Sequence, residues 1–229
     1  MNEWINELSD LSASNEAVVL VTVAGIRGSA PREVGAKMIV TASETIGTIG
    51  GGQLEYQVTR IACELLDAEE KPALRKFSLG SSMGQCCGGV VDILFEPLAS
   101  GLPAWVNDLR ALHGQREPAV LATALQDDYA KVVITASNVF CENPERLTDR
   151  VLADARFGIE ARRVTHRTDD WLLELIVGSN LNIAVFGAGH VGSAVVRTLS
   201  TLDCNIRWID SRRNVFRQAP NNVRTIETP

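Results

Sequence analysis

The sequence has no long apolar run. Although 45% of its 229 residues are hydrophobic, no stretch approaches the roughly 18 consecutive apolar residues that span a bilayer. The N-terminal segment is acidic and has no basic leader before an apolar run, so it is not typical of a signal peptide. We therefore expect a cytoplasmic globular protein with no membrane partner.

The sequence has fewer basic residues than acidic ones. Lysine and arginine together number 22 against 28 aspartate and glutamate residues, which gives a formal net charge of −6. A negatively charged chain opposes attraction to phosphodiester backbones, and the sequence has no dense basic stripe interleaved with aromatic residues. Nucleic acid is therefore not an expected partner.

Cysteine and histidine are also few and poorly paired. Five cysteines scattered along the chain are an odd number, which argues against the disulfide framework of a secreted protein. No Cys-x-x-Cys spacing occurs and the three histidines do not form a pair, so structural zinc is disfavoured. We expect the cysteines to be reduced thiols.

The chain alternates predicted helices and strands. Trp4 and Leu8 stand at helical spacing, and the β-branched run over residues 17–23 predicts a buried strand. A further amphipathic helix is predicted after Gln53, and residues 182–210 predict a βαβ unit. We expect an α/β fold in which a small N-terminal α/β domain with glycine-rich loops precedes a Rossmann-like C-terminal domain.

The predicted domains divide the chain at two points. Residues 1–100 form the glycine-loop domain, 101–179 an intermediate α/β region, and 180–229 the start of the Rossmann-like domain. A doubly wound domain needs more strands and helices than the residues after Asp210 provide, so this domain is expected to be truncated. Either the chain is a shortened version of a longer protein or a partner supplies strands. An exposed sheet edge favours a homo-oligomer.

A dinucleotide fingerprint, GAGHVG, follows a predicted strand and opens a predicted helix, whose amide end suits a pyrophosphate. Asp210 ends the next strand, where an acidic residue normally binds a ribose hydroxyl, whereas Arg212 and Arg213 could favour a 2′-phosphate. NAD and NADP therefore stay open. The alternative is that the glycines serve only helix-to-strand packing. The fingerprint residues considered for cofactor binding are Gly187, Gly189, His190 and Gly192.

Two loops of the first half suit anions. One combines a glycine that can bare backbone amides, a hydroxyl and a guanidinium, in Gly28, Ser29 and Arg32. The other is a glycine turn at the start of a helix, where unsatisfied amides point outward. The alternative for the first is a plain loop that contains an arginine, and for the second an ordinary tight turn. The residues of the second loop are Gly50, Gly51, Gly52 and Gln53.

A third loop carries Cys86, Cys87, Gly88 and Gly89. Adjacent cysteines in a glycine loop are rarely needed for packing, and the glycines leave room for a bulky ligand. A thiolate there could contact a soft metal centre, although one buried and one accidentally exposed cysteine is the plain structural alternative.

These segments together closely resemble the XdhC/CoxI family, the accessory proteins of xanthine dehydrogenase and related molybdenum hydroxylases. The resemblance covers nearly the whole chain and is weakest in the middle. The segments that carry it are GSAPR at 28–32, GAKM at 35–38, GTIGGGQLE at 47–55, GQCCGG at 84–89, FGAGHVG at 186–192 and WIDSR at 208–212.

The resemblance implies a chaperone and not an enzyme. Such a protein would bind molybdenum cofactor (molybdopterin), protect its sulfurated form and insert it into an apo-hydroxylase in the cytoplasm. A cysteine desulfurase would be the sulfur source. The three loops and the fingerprint would hold cofactor, with Cys86 or Cys87 contacting molybdenum, and NAD(P) is a possible second ligand.

Two other functions are open. An NAD(P)-dependent oxidoreductase would use the fingerprint as its cofactor site, but no Tyr-x-x-x-Lys or comparable proton-transfer set stands beside it. A thiol redox or persulfide protein would use Cys86 and Cys87 without any pterin.

Overall fold

The structure is a computed structural model. Helices and sheets alternate in two compact units, Glu3–Ile176 and Val177–Pro229, and they confirm the predicted α/β class. The division of the chain at residues 100 and 179 stays a prediction. The structure describes residues 3–13, 16–68, 71–80, 88–98, 103–115, 117–126, 128–141, 147–163, 165–168, 170–177, 181–202, 204–216, 218–220 and 223–228.

The larger unit begins with a five-stranded antiparallel sheet in the order β3-β2-β1-β5-β4. The central strand is almost entirely buried, because its β-branched residues fill both faces. Helix α2 packs its apolar stripe on one face, and α1 lies near the other. The elements are α1 (Glu3–Ala13), β1 (Val18–Arg27), β2 (Lys37–Val40), β3 (Thr45–Gly47), α2 (Gly52–Ala68), β4 (Ala73–Ser78) and β5 (Val90–Leu98).

The rest of the larger unit contains a second five-stranded antiparallel sheet, in the order β8-β7-β6-β10-β9. Thr148 caps the second helix of this half, and its hydroxyl accepts a hydrogen bond from the Val151 amide. The elements are α3 (Ala104–Gln115), β6 (Ala119–Ala124), β7 (Lys131–Ile134), β8 (Val139–Phe140), α4 (Asp149–Ala161), β9 (Thr165–Arg167) and β10 (Trp171–Ile176).

These two halves are copies of one fold. Each runs helix, three strands, helix and two strands, and in each sheet the first strand is central. The sequences agree as well, since KMIVTAS at 37–43 matches KVVITAS at 131–137, and WINEL at 4–8 matches WVNDL at 105–109. We call residues 3–98 the first repeat and residues 104–176 the second repeat.

Each repeat contributes a side chain from its first helix to the hydrophobic cluster of the other repeat. Val106 of α3 joins Leu8 in the cluster on the first sheet, and Ile5 of α1 joins Leu109 in the cluster on the second. Ile5 and Val106 are equivalent positions in the two repeats, as are Leu8 and Leu109. Such reciprocal contacts are those of a twofold dimer interface, here formed within one chain.

Two buried ion pairs cross between the repeats. Lys37 Nζ lies 2.8 Å from Glu174 Oε1, and Lys131 Nζ lies 2.9 Å from Glu96 Oε1, with each side chain at most 5% exposed. Burial lowers the pKa of Lys37, and Glu174 partly offsets that effect. Each lysine also bonds a threonine hydroxyl and lies over an indole ring of its own repeat. These partners are Thr22 and Trp4 for Lys37, and Thr123 and Trp105 for Lys131.

The smaller unit is a parallel sheet in the order β11-β12-β13. Strands β11 (Asn182–Phe186) and β12 (Asn205–Asp210) flank helix α5 (His190–Leu199), so this part is a βαβ unit. Strand β13 (Val223–Glu227), which the sequence patterns did not predict, extends the sheet. Among the residues that the structure describes, no helix is long and apolar enough to cross a membrane.

Candidate functional site

Three loops of the first repeat meet at the ends of its strands. They are the β1–β2 loop (28–36), the β3–α2 loop (48–51) and the β4–β5 loop, of which residues 79–80 and 88–89 are described. A Cβ atom on Gly28 would lie 3.2 Å from Gly89 Cα, and one on Gly50 would overlap the ring of Pro31. The β1–β2 loop therefore contacts both of the others, and the described parts of the three loops form one cluster, which we call the loop cluster.

Cys86 and Cys87 lie outside the described residues, so their place in the loop cluster stays a prediction. Their neighbours Gly88 and Gly89 continue into β5, and the Leu79 amide donates to the Gly89 carbonyl at 2.7 Å. Within the described residues, no group of three or more His, Cys, Asp or Glu side chains is arranged to hold a metal ion.

Arg32 is a partly exposed cation of the loop cluster. Its guanidinium donates to both carboxylate oxygens of Glu33, at 3.3 and 3.1 Å, and lies 3.5 Å from the Thr48 carbonyl in the neighbouring loop. The Arg32 hydrogen bonds hold the pKa of Glu33 below its usual value. Because this pair is exposed, it contributes little stability, and a stronger anion can replace Glu33 as the partner of Arg32.

Glu55 takes the Gly51 amide, which the glycine turn was predicted to leave unsatisfied, and the amide of Ile49 before it. Its Oε2 accepts from the Thr48 hydroxyl at 2.6 Å, from the Ile49 amide at 3.1 Å and from the Gly51 amide at 3.0 Å. Partial burial alone would raise the pKa of Glu55, but these hydrogen bonds outweigh it and lower the pKa. The amides that remain for a ligand at this helix end are those of Gly52 and Gln53.

The loop contact at Gly89 leaves no room for a side chain. A Cβ atom there would overlap the Ser29 carbonyl oxygen and lie 2.8 Å from the Arg27 carbonyl oxygen, whereas one on Gly88 would meet nothing within 4 Å. We expect Gly89→Ala to lower the free energy of unfolding by about 2 kcal/mol and Gly88→Ala to change it by less than about 0.5 kcal/mol. Urea unfolding of both variants measures this, and equal effects would contradict the described contact.

The fingerprint glycines of the βαβ unit have separate structural duties. Gly187 adopts a φ of +94°, which favours glycine, and its carbonyl accepts from Trp208 Nε1 at 3.1 Å. A Cβ atom on Gly192 would overlap that same carbonyl oxygen, so α5 can approach β11 only because residue 192 is glycine. Gly189 is the N-cap of α5 and makes no side-chain cap, and His190 is exposed.

A cavity of about 560 Å³ lies at the start of α5. Its lining combines two predicted fingerprint residues, Gly189 and His190, with two guanidinium groups. The lining includes Ala188, Gly189, His190, Arg197, Trp208 and Arg212.

Asp210 does not present its carboxylate to this cavity in the manner expected of a ribose acceptor. It accepts from the Ala188 amide at 2.5 Å and from the amide and guanidinium of Arg212 at 2.8 to 3.0 Å. The Arg212 side chain first, and then the two amides, hold the pKa of Asp210 far below its ordinary value. The carboxylate thus links the fingerprint loop to the end of β12.

This bonding predicts an acid-sensitive smaller unit. Because the folded-state pKa of Asp210 is depressed, its contribution to stability is present above the unfolded pKa near 4 and is lost as pH falls. We expect Asp210→Asn to destabilise residues 181–228 at neutral pH, with the difference from the unaltered protein closing below about pH 4. Hydrogen exchange of the smaller unit across this range measures it, and a difference that does not depend on pH would contradict the assignment.

The sequence patterns did not single out Glu55 or Arg167, which lie outside the three loops. Glu55 had a local signal, because an acidic residue in the first turn of a helix suits the exposed amides at that end. Arg167 of β9 had none, because its contact with Asp92 at 2.7 Å joins residues of different repeats.

The fold is that of a two-unit α/β protein whose first repeat carries the glycine-rich loop cluster. Within it, residues 11–78 match the model of the XdhC and CoxI family. This span contains the β1–β2 and β3–α2 loops, and the match confirms the predicted resemblance there. The family match supports the accessory role that the resemblance implies.

A similar fold occurs in a solved structure. The chain is similar to a xanthine dehydrogenase from Bacillus halodurans in its crystal structure, with a TM-score of 0.76 and 20% sequence identity, covering 98% of this chain and 68% of that chain. At this identity the likeness establishes the fold. No curated protein sequence matches the chain.

Proposed function

We propose that this protein binds molybdenum cofactor, protects it in its sulfurated form and inserts it into a hydroxylase of the xanthine dehydrogenase type. The observation that carries the proposal is the meeting of three loops in the repeat that matches the XdhC and CoxI family. The match includes two of those loops, so the family's sequence signal and the geometric cluster coincide.

The residues present fit the chemistry of that cofactor, which combines a phosphate, a flat pterin and a metal with sulfur ligands. Arg32 and the amides of Gly52 and Gln53 suit the phosphate, and the side-chain-free surface at Gly51 and Gly88 suits a flat ring. By sequence, Cys86 and Cys87 supply thiols for the metal. When bound, the cofactor supplies the redox centre that the recipient enzyme needs, while this chain binds and shields it.

Release of bound pterin tests the proposal. The protein is expressed in cells that make the cofactor and purified, and its pterin is then oxidised to a fluorescent derivative and quantified. We expect pterin at a substantial fraction of one per chain. Cys86→Ala or Cys87→Ala should lower this fraction without lowering the melting temperature, whereas Cys63→Ala, an exposed thiol on α2, serves as the matched control. Purified protein without pterin would overturn the proposal.

The partners follow from this function. An apo-hydroxylase would receive the cofactor, a cysteine desulfurase would provide sulfur, and both would meet this protein in the cytoplasm as a homo-oligomer. Transfer is measured by activation of purified apo-hydroxylase with the loaded protein, and light scattering at micromolar concentration measures the oligomer. A hydroxylase that gains no activity from loaded protein would contradict the insertion step.

A nucleotide bound to a Rossmann-like smaller unit is the second candidate. The cavity at the start of α5, with Arg197 and Arg212 in its lining, favours a ligand with a phosphate. Because Asp210 is engaged by Arg212 and Ala188, we expect NADPH to bind better than NADH. Fluorescence titration with both nucleotides tests this, and we expect no substrate-dependent reduction of NAD or NADP.

A further inference from the structure

One carboxylate beside the loop cluster holds two arginines from different repeats. Asp92 of β5 has a side chain only 9% exposed and lies 3.3 Å from Arg27 Nη2 and 2.7 Å from Arg167 Nη1. Arg27 belongs to β1 of the first repeat and Arg167 to β9 of the second. Two guanidinium groups against one carboxylate leave a net positive charge at this point.

The second repeat packs closely against the first here, because glycines of the first repeat leave space for its side chains. Arg167 Nη1 lies 3.5 Å from the Ala24 carbonyl, and a Cβ atom on Gly25 would overlap the same nitrogen. At the other end of β9, a Cβ atom on Gly35 would lie 3.1 Å from Thr165 Oγ1. Strand β9 therefore contacts both flanks of the β1–β2 loop.

Arg27 adjoins the loop cluster directly, and Arg167 is joined to it through Asp92. Arg27 precedes Gly28 and pairs with Val90, the residue after Gly89. Its side chain is 58% exposed, whereas that of Arg167 is 28% exposed. Both arginine side chains therefore keep exposed surface for a ligand, and Asp92 holds the two guanidinium groups together beside the start of the β1–β2 loop.

Among the described residues of the second repeat, no arginine pair contacts the equivalent aspartate. Asp170 stands four residues before Glu174, as Asp92 stands four residues before Glu96, so the two aspartates are equivalent. Asp170 accepts a hydrogen bond from the Gln126 side-chain amide. The repeat fold thus forms around this aspartate with a neutral partner, and the two arginines add something that the fold itself does not require.

We propose that Arg27 and Arg167, positioned by Asp92, form an oxyanion subsite of the loop cluster and bind a phosphate group. The second repeat thereby supplies a residue to the site of the first. That the phosphate belongs to molybdenum cofactor rests on the proposed function, whereas the binding of a phosphate group does not.

Calorimetric titration of the full chain with inorganic phosphate at low salt tests the subsite. We expect millimolar affinity for the unaltered protein and a loss of about tenfold or more for Arg27→Gln and for Arg167→Gln. Arg60→Gln is the control, because it removes the same charge from an exposed pair with Glu64 on α2. Arg167→Lys should recover part of the lost affinity, since it restores a cation beside Asp92.

Arg27→Gln keeps the test decisive if Arg167→Gln does not fold, because Arg27 is mostly exposed. No measurable phosphate binding by the unaltered protein, or unchanged affinity in Arg27→Gln, would overturn the subsite. The two proposals fail separately. Protein that lacks pterin but shows arginine-dependent phosphate binding would refute only the cofactor, whereas protein that retains full pterin in Arg27→Gln, with unchanged phosphate affinity, would refute only the subsite.

Discussion

Replacing Lys37 with methionine should lower the free energy of unfolding by about 3 to 5 kcal/mol. Glu174 would then keep its charge in the interior, 4% exposed, without the ammonium group 2.8 Å away. The loss of a surface ion pair would cost no more than about 1 kcal/mol, so the size of the effect identifies the buried case. Chemical denaturation followed by tryptophan fluorescence measures it.

The double variant Lys37→Met/Glu174→Leu separates pairing from packing. Because it removes both charges together, we expect most of the stability to return. Lys131→Met should behave like Lys37→Met, since Lys131 and Glu96 form the equivalent pair in the other direction. A double variant as unstable as the single one, or an effect on only one of the two pairs, would contradict the reciprocal arrangement of the repeats.

Gly192→Ala should destabilise the smaller unit by at least about 3 kcal/mol. Helix propensity alone predicts the opposite sign, a gain of about 1 kcal/mol from replacing a helical glycine by alanine. The steric effect decides, because the added Cβ atom would overlap the Gly187 carbonyl oxygen, which is backbone and cannot rotate away. Helix α5 would have to leave β11, and the cluster around Val196 and Trp208 would lose its packing.

Gly158→Ala provides the comparison for this variant. Gly158 lies inside α4, and a Cβ atom there would meet nothing within 4 Å. We therefore expect the gain of up to about 1 kcal/mol that propensity predicts. Hydrogen exchange followed unit by unit should show faster exchange over residues 181–228 in Gly192→Ala alone. Unchanged exchange there would show that the helix accommodates the methyl group.

Elements with a strong local signal were predictable from the sequence. The β-branched run of β1, the amphipathic stripe of α2 and the strand before GAGHVG each carry a periodic pattern in the chain itself. Strands β9 and β13 were missed because they owe their conformation to pairing with β10 and β12. Local sequence does not contain that information.

The loop cluster shows the same division between local and distant information. Its glycines and Arg32 stood out because glycine clusters mark special backbone positions. The arginine pair on Asp92 depends on how two repeats meet, so Arg167 had no reason to be singled out. Yet the repeat itself had a clear signal, since KMIVTAS recurs as KVVITAS, and aligning the sequence with itself would have revealed it.

The joining of two repeats in one chain has a consequence for how such a site can arise. In a dimer of separate identical chains, each lengthened loop is present twice and each new contact must suit both copies. Here nine residues (28–36) link β1 to β2 and six (125–130) link β6 to β7, while eleven (79–89) link β4 to β5 and three (168–170) link β9 to β10. The first repeat thus has the longer connections and the second has the shorter ones. The second repeat can therefore change independently of the first and place its own side chains beside the loop cluster of the first repeat. In a symmetric dimer, every such change appears in both copies.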